Sequence, residues 1–235
     1  MKHITYGVVG RGRVATHIIR YLELEGLPVR QWHRGQACAA DSSLRNADVV
    51  LLAIGDDALE PFLRAQPGIA GKTCLHFSGS RTVAGASGFH PLMTFGPEPY
   101  DLETYRRIPF VIELGGPGFE DIFPTLVNPS WPIDAELKPL YHALCVLAGN
   151  FPTLLWNKVF GAFEGRLGVP RSALTPYLER TLENTLESGD AALTGPLARG
   201  DTGTIDLNLE ALEGDSYQDV YRAFVDAHGL QETGT

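Results

Sequence analysis

The feature that most constrains the fold is a glycine-rich turn between an apolar run and a helical pattern near the start of the chain. Ile4 to Val9 is predicted to be a buried strand, and Gly10-Arg11-Gly12-Arg13-Val14-Ala15 follows it directly. Apolar residues then recur every four positions, at Val14, Ile18 and Leu22, which predicts a helix. Val29 to Trp32 is the next predicted strand. This order of strand, turn, helix and strand indicates a βαβ unit and a parallel sheet.

The same alternation continues through the first half of the chain and then gives way to helical patterns. Further strands are predicted at Asp48–Ile54, Lys72–Phe77 and Phe110–Leu114, and a helix at Ala58–Ala65. From Ile133 onward the predictions are all helical: a helix capped by Asp134, then Leu154–Leu167, Pro176–Ser188 after a Thr175 cap, and Tyr217–Ala227. We predict an α/β fold, with a Rossmann-type doubly wound sheet over residues 1–132 and a smaller all-α domain over 133–235. The boundary is placed in the Pro-rich stretch Asn128–Pro132.

Composition narrows the class of protein. The 235 residues are 44% hydrophobic, which is enough to bury a core, and the formal charge of -9 disfavours nucleic acid as a partner. We find neither a signal-peptide pattern nor an apolar run of membrane-spanning length. The three cysteines, Cys38, Cys74 and Cys145, have no metal-ligand spacing and do not form an even disulfide set. We therefore expect a cytoplasmic protein without a metal site.

The glycine turn predicts a dinucleotide site. Gly10 permits the tight turn, Gly12 allows backbone to approach a pyrophosphate, and the small Ala15 permits close packing of helix on strand. The alternative is a glycine turn without a ligand. Residues in and around the turn and at the ends of later strands are the predicted cofactor contacts: Gly7, Gly10, Arg11, Gly12, Arg13, Val14, His33, Arg34, Ala53, Ile54, Ser78 and Gly79.

The end of the second strand favours NADP over NAD. NAD enzymes usually place an acidic residue about 20 positions after the glycines, where it binds ribose hydroxyls. Here the region reads Arg30-Gln31-Trp32-His33-Arg34, without a carboxylate. Arg34, with His33 and Arg11, is predicted to pair with a 2′-phosphate. Alternatively, Arg34 is a solvated surface arginine.

Hydride transfer to a carbonyl needs a proton donor and groups that orient the substrate. Ser78 follows the predicted strand Lys72–Phe77, and His90 lies in an extended segment before Pro91; both are candidates, although Ser78 equally suits a turn and His90 a structural role. Lys138 and His142 share one face of a helix, with Asn150 at the next helix junction. For Lys138 the alternative is a solvated surface charge, and for His142 a hydrogen-bonded interior histidine. We favour His142 as the proton donor because its reference pKa lies closest to neutral.

Thr194, Arg199 and Asp201 lie in a loop between helical stretches and are predicted to bind substrate. Arg199 would grip the carboxylate of a 2-oxo acid, or else form an ion pair with Asp201 that shapes the loop. Asp56-Asp57 is interpreted as a helix cap rather than as a pair of catalytic acids.

Six segments together resemble one two-domain bacterial family: GVVGRGRVA, LLAIGDDAL, HFSGS, GFHPLMTF, KPLYHALCVLAGN and ALTGPLARGD. The N-terminal half of that family is Rossmann-like, and its C-terminal half was long classed only as a domain of unknown function. The most specific segment is ALTGPLARGD, residues 192–201. The resemblance spans most of the chain.

The resemblance implies a function that the residues alone do not. Members are similar in fold to pyrroline-5-carboxylate reductases and 6-phosphogluconate dehydrogenase-like enzymes, and some are an alternative class of ketopantoate reductases. It therefore implies an NADPH-dependent reductase of a small molecule, with reduction of 2-dehydropantoate to pantoate as the leading hypothesis. It also implies a homodimer formed through the helical domain. The alternatives are an imine reductase of the pyrroline-5-carboxylate type and an inactive NADP-binding sensor or partner protein.

Overall fold

The chain contains two compact units in a computed structural model that describes residues 4–229; they divide between Leu154 and Leu155. The first unit is built on a sheet of seven strands: β1 Tyr6–Val9, β2 Val29–Trp32, β3 Val49–Leu52, β4 Thr73–His76, β5 Ser87–Pro91, β6 Phe110–Glu113 and β7 Ser130–Ile133. Its helices are α1 Arg13–Leu24, α2 Ala40–Ser43, α3 Asp56–Ala65, α4 Pro67–Ala70, α5 Leu102–Arg106, α6 Phe119–Ile122 and α7 Lys138–Cys145.

The strand order in the sheet is β2-β1-β3-β4-β5-β6-β7. Neighbouring strands are parallel from β2 to β5, β5 and β6 are antiparallel, and β6 and β7 are parallel again. The order reverses direction at β1, between β2 and β3. In open α/β sheets, the carboxyl ends of the strands on either side of such a reversal form the usual ligand crevice.

The central strands are buried because helices cover both faces of the sheet. Side chains alternate between the faces along a strand, so Tyr6 and Val8 join one apolar cluster while Val9 joins the other. The first cluster packs residues of α1, α5 and α6, and the second packs residues of α2, α3 and α4. This is a doubly wound sheet, and the fold-class prediction of a Rossmann-type α/β sheet followed by a helical region is confirmed.

The second unit is helical. The division between the units falls inside α8 Phe151–Ala162, and the remaining helices are α9 Thr175–Ser188, α10 Gly195–Arg199, α11 Thr202–Ala211 and α12 Tyr217–Ala227. Two π-helical stretches, Val146–Asn150 and Phe163–Leu167, flank α8. Short 3₁₀ turns occupy Arg171–Leu174 and Gly189–Ala192 in this unit, and Ala135–Leu137 in the first unit. Over residues 4–229, no helix combines the length and apolar character needed to cross a bilayer.

The sequence missed two strands, and both contain proline. β7 lies in the stretch interpreted as the domain boundary, but it is the last strand of the sheet. Pro132 is tolerated there because an edge strand has one side free of ladder hydrogen bonds. The other missed strand, β5, ends at Pro91. The domain division after residue 132 stays a prediction.

Candidate functional site

A pocket of about 600 Å³ runs along the carboxyl ends of four parallel strands. Trp32, His33 and Arg34 line it after β2, and residues of the glycine turn line it after β1. Asp56 and its neighbours line it after β3, and Phe77 and Ser78 after β4. It therefore lies at the reversal point where the topology predicts a ligand crevice.

The glycine turn has the geometry that a phosphate cradle requires. Gly10 adopts φ +131°, and a Cβ added there would lie 2.1 Å from the carbonyl oxygen of Ala53, so only glycine fits. By contrast, a Cβ at Gly12 would meet nothing within 4 Å, so the Gly12 backbone is open to approach. Gly12 precedes α1, whose first turn has neither a side-chain cap nor an acidic residue. The free N–H groups and the positive end of the helix dipole favour an anion.

Most of the predicted cofactor contacts line this pocket, but Gly7 and Gly79 do not. Gly7 lies within β1, where an added Cβ would lie 2.9 Å from the Cβ of Ala47, so its role is close packing. The remaining ten predicted contacts are all among the lining residues: Gly10, Arg11, Gly12, Arg13, Val14, His33, Arg34, Ala53, Ile54 and Ser78.

The two ends of the pocket differ in charge. Arg11, Arg13 and Arg34 are exposed around its β2 and β1 end. Trp32 and Phe62 form an apolar wall there, with ring centroids 5.8 Å apart. At the β3 and β4 end stands Asp56, whose Oδ2 accepts a 2.8 Å hydrogen bond from the Ser78 hydroxyl.

The cap interpretation of Asp56-Asp57 was wrong. Gly55 occupies the cap position of α3, and both aspartates lie in the first helical turn. Their side chains point to other partners: Asp56 bonds the hydroxyl of Ser78, and Asp57 forms an exposed 3.0 Å ion pair with Arg81. Asp56 was therefore not predicted as a pocket residue, although its place directly after the third strand was a usable signal.

A second group of side chains lies beside the turn after β4. A Cβ added at Gly79 would lie 2.5 Å from Cδ2 of His142 and 3.0 Å from Cδ2 of His90, so the glycine makes room for both rings. The two imidazoles are 6.0 Å apart between centroids. Nδ1 of His90 shares a 2.6 Å hydrogen bond with the hydroxyl of Tyr141. The structure thus brings together His90 and His142, two of the candidate catalytic residues, and adds Tyr141, which was not among the candidates.

Burial controls protonation in this group. Desolvation, followed by the nearby His142 and Lys138, lowers the pKa of His90 to about 4, although Asp56 opposes the shift. His90 is therefore neutral at physiological pH. Burial and a hydrogen bond with Cys145 raise the pKa of Tyr141 above its ordinary value, so its hydroxyl keeps its proton.

Lys138 is not the solvated surface charge that was the alternative to a catalytic role. It is 3% exposed, and its Nζ donates a 2.5 Å hydrogen bond to Oε1 of Glu113. Burial alone would raise the pKa of Glu113, but the nearby His76 imidazole, whose Nε2 lies 3.6 Å from Oε1, lowers it to about 2 together with hydrogen bonds from Lys138 and the Gly88 amide and the charge of Lys138. The pair has room because Gly88 has no side chain, whereas a Cβ at that position would clash with both Lys138 and Glu113. This buried ion pair fixes the first turn of α7. Tyr141 and His142 lie on the same helix, so the ion pair also holds them in position.

Within each unit, the other predicted site residues lie outside the pocket lining and outside the group of His90, Tyr141 and His142. Asn150 is exposed at the end of the π-helical stretch Val146–Asn150. In the helical unit, Thr194 is the cap residue of α10, and Asp201 caps α11 by accepting from the Thr204 amide at 3.1 Å. Arg199 is 3.6 Å from Asp201, which is the loop-shaping ion pair considered as its alternative role. Within residues 4–229, no cluster of three His, Cys, Asp or Glu could hold a metal ion.

Comparison with known families and proteins gives one family match. Residues 116–228 match the family model described as "Domain of unknown function (DUF2520)". No curated protein matches the chain.

Several solved structures have the same architecture over nearly the whole chain. A candidate NADP oxidoreductase from Bacteroides fragilis is 22% identical, with a TM-score of 0.77, covering 97% of this chain and 99% of its own. An imine reductase from Streptomyces aurantiacus is 16% identical, with a TM-score of 0.63, covering 95% and 93%. A reductive aminase from Aspergillus terreus, solved with NADPH and ethyl levulinate, is 16% identical, with a TM-score of 0.62, covering 98% and 89%. The chain is therefore similar in fold to these proteins, with a Rossmann-like sheet followed by a helical region.

Proposed function

We propose that this chain is an NADP-dependent oxidoreductase that reduces a carbon–oxygen or carbon–nitrogen double bond of a small molecule. The observation that carries the proposal is the pocket at the carboxyl ends of β1 to β4, with the uncapped start of α1 in its floor and arginines at one end. A phosphorylated dinucleotide is the ligand whose shape and charge match that layout.

The chain's own residues fit NADP well. The amides at the start of α1 would hold the pyrophosphate, since Gly12 leaves their approach open. Arg34, with Arg11 and His33, would pair with the 2′-phosphate, because a guanidinium binds phosphate bidentately. The apolar wall of Trp32 and Phe62 would take the adenine. This assignment agrees with the ligand named for the Aspergillus terreus reductive aminase, which is NADPH.

When bound, the cofactor supplies the hydride, so the chain must orient the substrate and deliver a proton. We assign delivery of that proton to the group of His90, Tyr141 and His142, and the support is that the two histidine rings lie against Gly79 and that His90 bonds the Tyr141 hydroxyl. His90 is neutral at physiological pH and bonds the Tyr141 hydroxyl, which together make a polar surface without a fixed charge. We assign proton donation to His142, and the orientation of His142 to the buried pair of Lys138 and Glu113 at the start of its helix.

Two substrate classes are proposed, each with its own support. A 2-oxo acid, with 2-dehydropantoate first, follows from the sequence resemblance, and Arg199 would bind its carboxylate. An imine is supported by the names of two structurally similar proteins, an imine reductase and a reductive aminase. Neutral His90 and Tyr141 suit either class, because neither places a charge beside the reacting carbon.

The test has a binding arm and a turnover arm. We expect NADPH to bind, Arg34→Ala to weaken NADPH by about tenfold or more while sparing NADH, and Arg30→Ala to change neither. Arg30 is the control because it is exposed on β2 and does not line the pocket. NADPH oxidation is then measured over 2-oxo acids and cyclic imines. Binding without turnover of any compound would favour the sensor or partner protein, and absence of binding would contradict the proposal.

We also propose that the chain forms a homodimer through its helical unit. Over residues 155–229, many large apolar side chains are exposed, among them Tyr177, Leu182, Leu186, Leu207 and Phe224. A soluble monomer rarely leaves so much apolar surface uncovered. A second copy of the same helices would cover it in the isologous manner typical of homodimers.

A further inference from the structure

The pocket has arginines at one end and a carboxylate at the other, and the carboxylate end can be given a role in ligand binding. Taken across the sheet, its lining runs from Arg34 after β2, through Arg11 and Arg13 after β1, to Asp56 after β3 and Ser78 after β4. Asp56 is the single carboxylate among the described lining residues. A ligand that spans the pocket must therefore carry anionic groups at one end and hydrogen-bond donors at the other.

The Asp56 carboxylate is held in place and keeps acceptor capacity. Its Oδ2 accepts from the Ser78 hydroxyl at 2.8 Å and from the Ser80 hydroxyl at 3.4 Å. Ser78 is itself fixed, because its Oγ accepts from the Arg81 amide at 3.0 Å. Both serines reach the same oxygen, and within residues 4–229 no protein donor bonds Oδ1. The carboxylate is thus oriented at the pocket, is exposed, and has lone pairs to spare.

We propose that Asp56 binds the ribose of the nicotinamide half of the dinucleotide, accepting hydrogen bonds from its hydroxyls, while Ser78 holds the carboxylate in position. This inference rests on the proposed function and extends it. If the pyrophosphate lies at the start of α1, one nucleoside extends toward β2 and the other extends toward β3 and β4. The cationic end selects the phosphorylated ribose, so the unphosphorylated ribose lies at the acidic end.

The chemistry of the two riboses supports this orientation. A carboxylate accepts hydrogen bonds from a vicinal diol but repels a phosphate, so Asp56 would reject the 2′-phosphorylated half. In addition, the nicotinamide ring carries a positive charge when oxidised, which a nearby carboxylate attracts. The Asp56 contact should therefore stabilise bound NADP⁺ at least as much as bound NADPH.

The test separates the two halves of the ligand. Calorimetry on the full chain would compare NADPH with adenosine 2′,5′-bisphosphate, which lacks the nicotinamide half. Asp56→Asn should weaken NADPH by about tenfold, because a bond to an ionised acceptor is replaced by a neutral one, and should leave the bisphosphate within about twofold. The control is Asp57→Asn, which alters the neighbouring exposed carboxylate and should change neither affinity. Asp56→Ser provides a second variant that keeps a polar side chain at the start of α3.

Each outcome decides between the claims. Selective loss of NADPH affinity in both Asp56 variants supports the inference. An unchanged NADPH affinity, or equal weakening of both ligands, overturns it while leaving the proposed NADP site in place. If the unsubstituted chain binds neither ligand, the proposed function fails, and this inference fails with it.

Discussion

The two units of the chain bury their apolar residues very differently. In the sheet unit, both faces of the strands are covered, and residues such as Tyr6, Leu51 and Phe89 are fully buried. Among residues 155–229, only Leu174, Ile205 and Val225 belong to the buried core, while Leu186 remains 78% exposed.

The comparison shows how the two units relate to function. The sheet unit encloses its own core and presents a pocket with charged residues at the carboxyl ends of its strands. The helical unit leaves an apolar groove of about 490 Å³ and several uncovered helix faces. Because most helical stability in proteins comes from packing of an apolar face, those exposed faces are the basis of the proposed homodimer.

The largest expected effect tests how closely the sheet unit is packed. Gly10→Ala would place a methyl group 2.1 Å from a backbone oxygen at a φ that only glycine adopts readily, and should cost roughly 3 kcal/mol of unfolding free energy and abolish NADPH binding. The matched change in the helical unit is Gly161→Ala, in α8, where a Cβ meets nothing. It should stabilise by up to about 1 kcal/mol. Chemical denaturation measures the unfolding free energy of both variants, and equal changes would contradict the difference in packing between the two units.

The next effect is the pH dependence of stability that His90 gives to the sheet unit. His90 has a folded pKa of about 4, below its ordinary 6.5, so the unfolded chain binds the proton first as pH falls. The stability from neutral His90 is fully present above pH 6.5 and is lost between 6.5 and about 4, by roughly 3 kcal/mol at most.

The matched variants isolate His90 from the other histidines. His90→Asn should flatten the stability profile in that pH window, whereas His228→Asn, at the exposed end of α12, should leave it unchanged. Denaturant midpoints measured across the window provide the readout. A His90 variant with the original slope would rule out this source of acid sensitivity.

A smaller effect sharpens the proposal that the helical faces are covered by a second copy. Leu186→Glu should weaken self-association at least tenfold, because burial of this exposed leucine in the proposed interface would contribute about 2 kcal/mol and the variant replaces it with a charge. Leu114→Glu changes a leucine that is 60% exposed in the sheet unit and should leave the mass unchanged. Light scattering after size exclusion measures both. A monomeric unsubstituted chain would contradict the dimer.

The smallest effect concerns the exposed ion pair of the helical unit. Arg199 is 64% exposed and lies 3.6 Å from Asp201. Its replacement by alanine should change unfolding free energy by less than about 0.5 kcal/mol, because exposed pairs contribute little. If Arg199→Ala also raises the KM for a carboxylated substrate with unchanged stability, the residue binds substrate. A loss of stability well above that amount would show a structural role instead.

The sequence predicted the elements whose patterns are local and failed where a strand depends on its neighbours. β1, α1 and β2 were predicted because the glycine turn and the apolar periodicity lie in one short stretch. β5 and β7 were missed because each contains a proline, Pro91 or Pro132, and because their strand structure depends on pairing with other segments, β5 with β4 and β6 and β7 with β6.

The candidate site shows the same division. The glycine turn and Arg34 were identified from spacing, and His90 and His142 from their positions relative to strand and helix. Tyr141, Glu113 and Asp56 were missed because their importance comes from contacts distant in sequence. Glu113 pairs with Lys138 across 25 positions, and Asp56 bonds Ser78 across 22.

Calorimetric titration of the full chain with NADP⁺ and NAD⁺ in parallel tests whether the pocket is an NADP site. The proposed site predicts saturable binding of one NADP⁺ per chain, with NAD⁺ weaker by about tenfold or more, because only NADP⁺ carries the phosphate that Arg34 would bind. Binding of neither dinucleotide, or equal affinity for both, would contradict it.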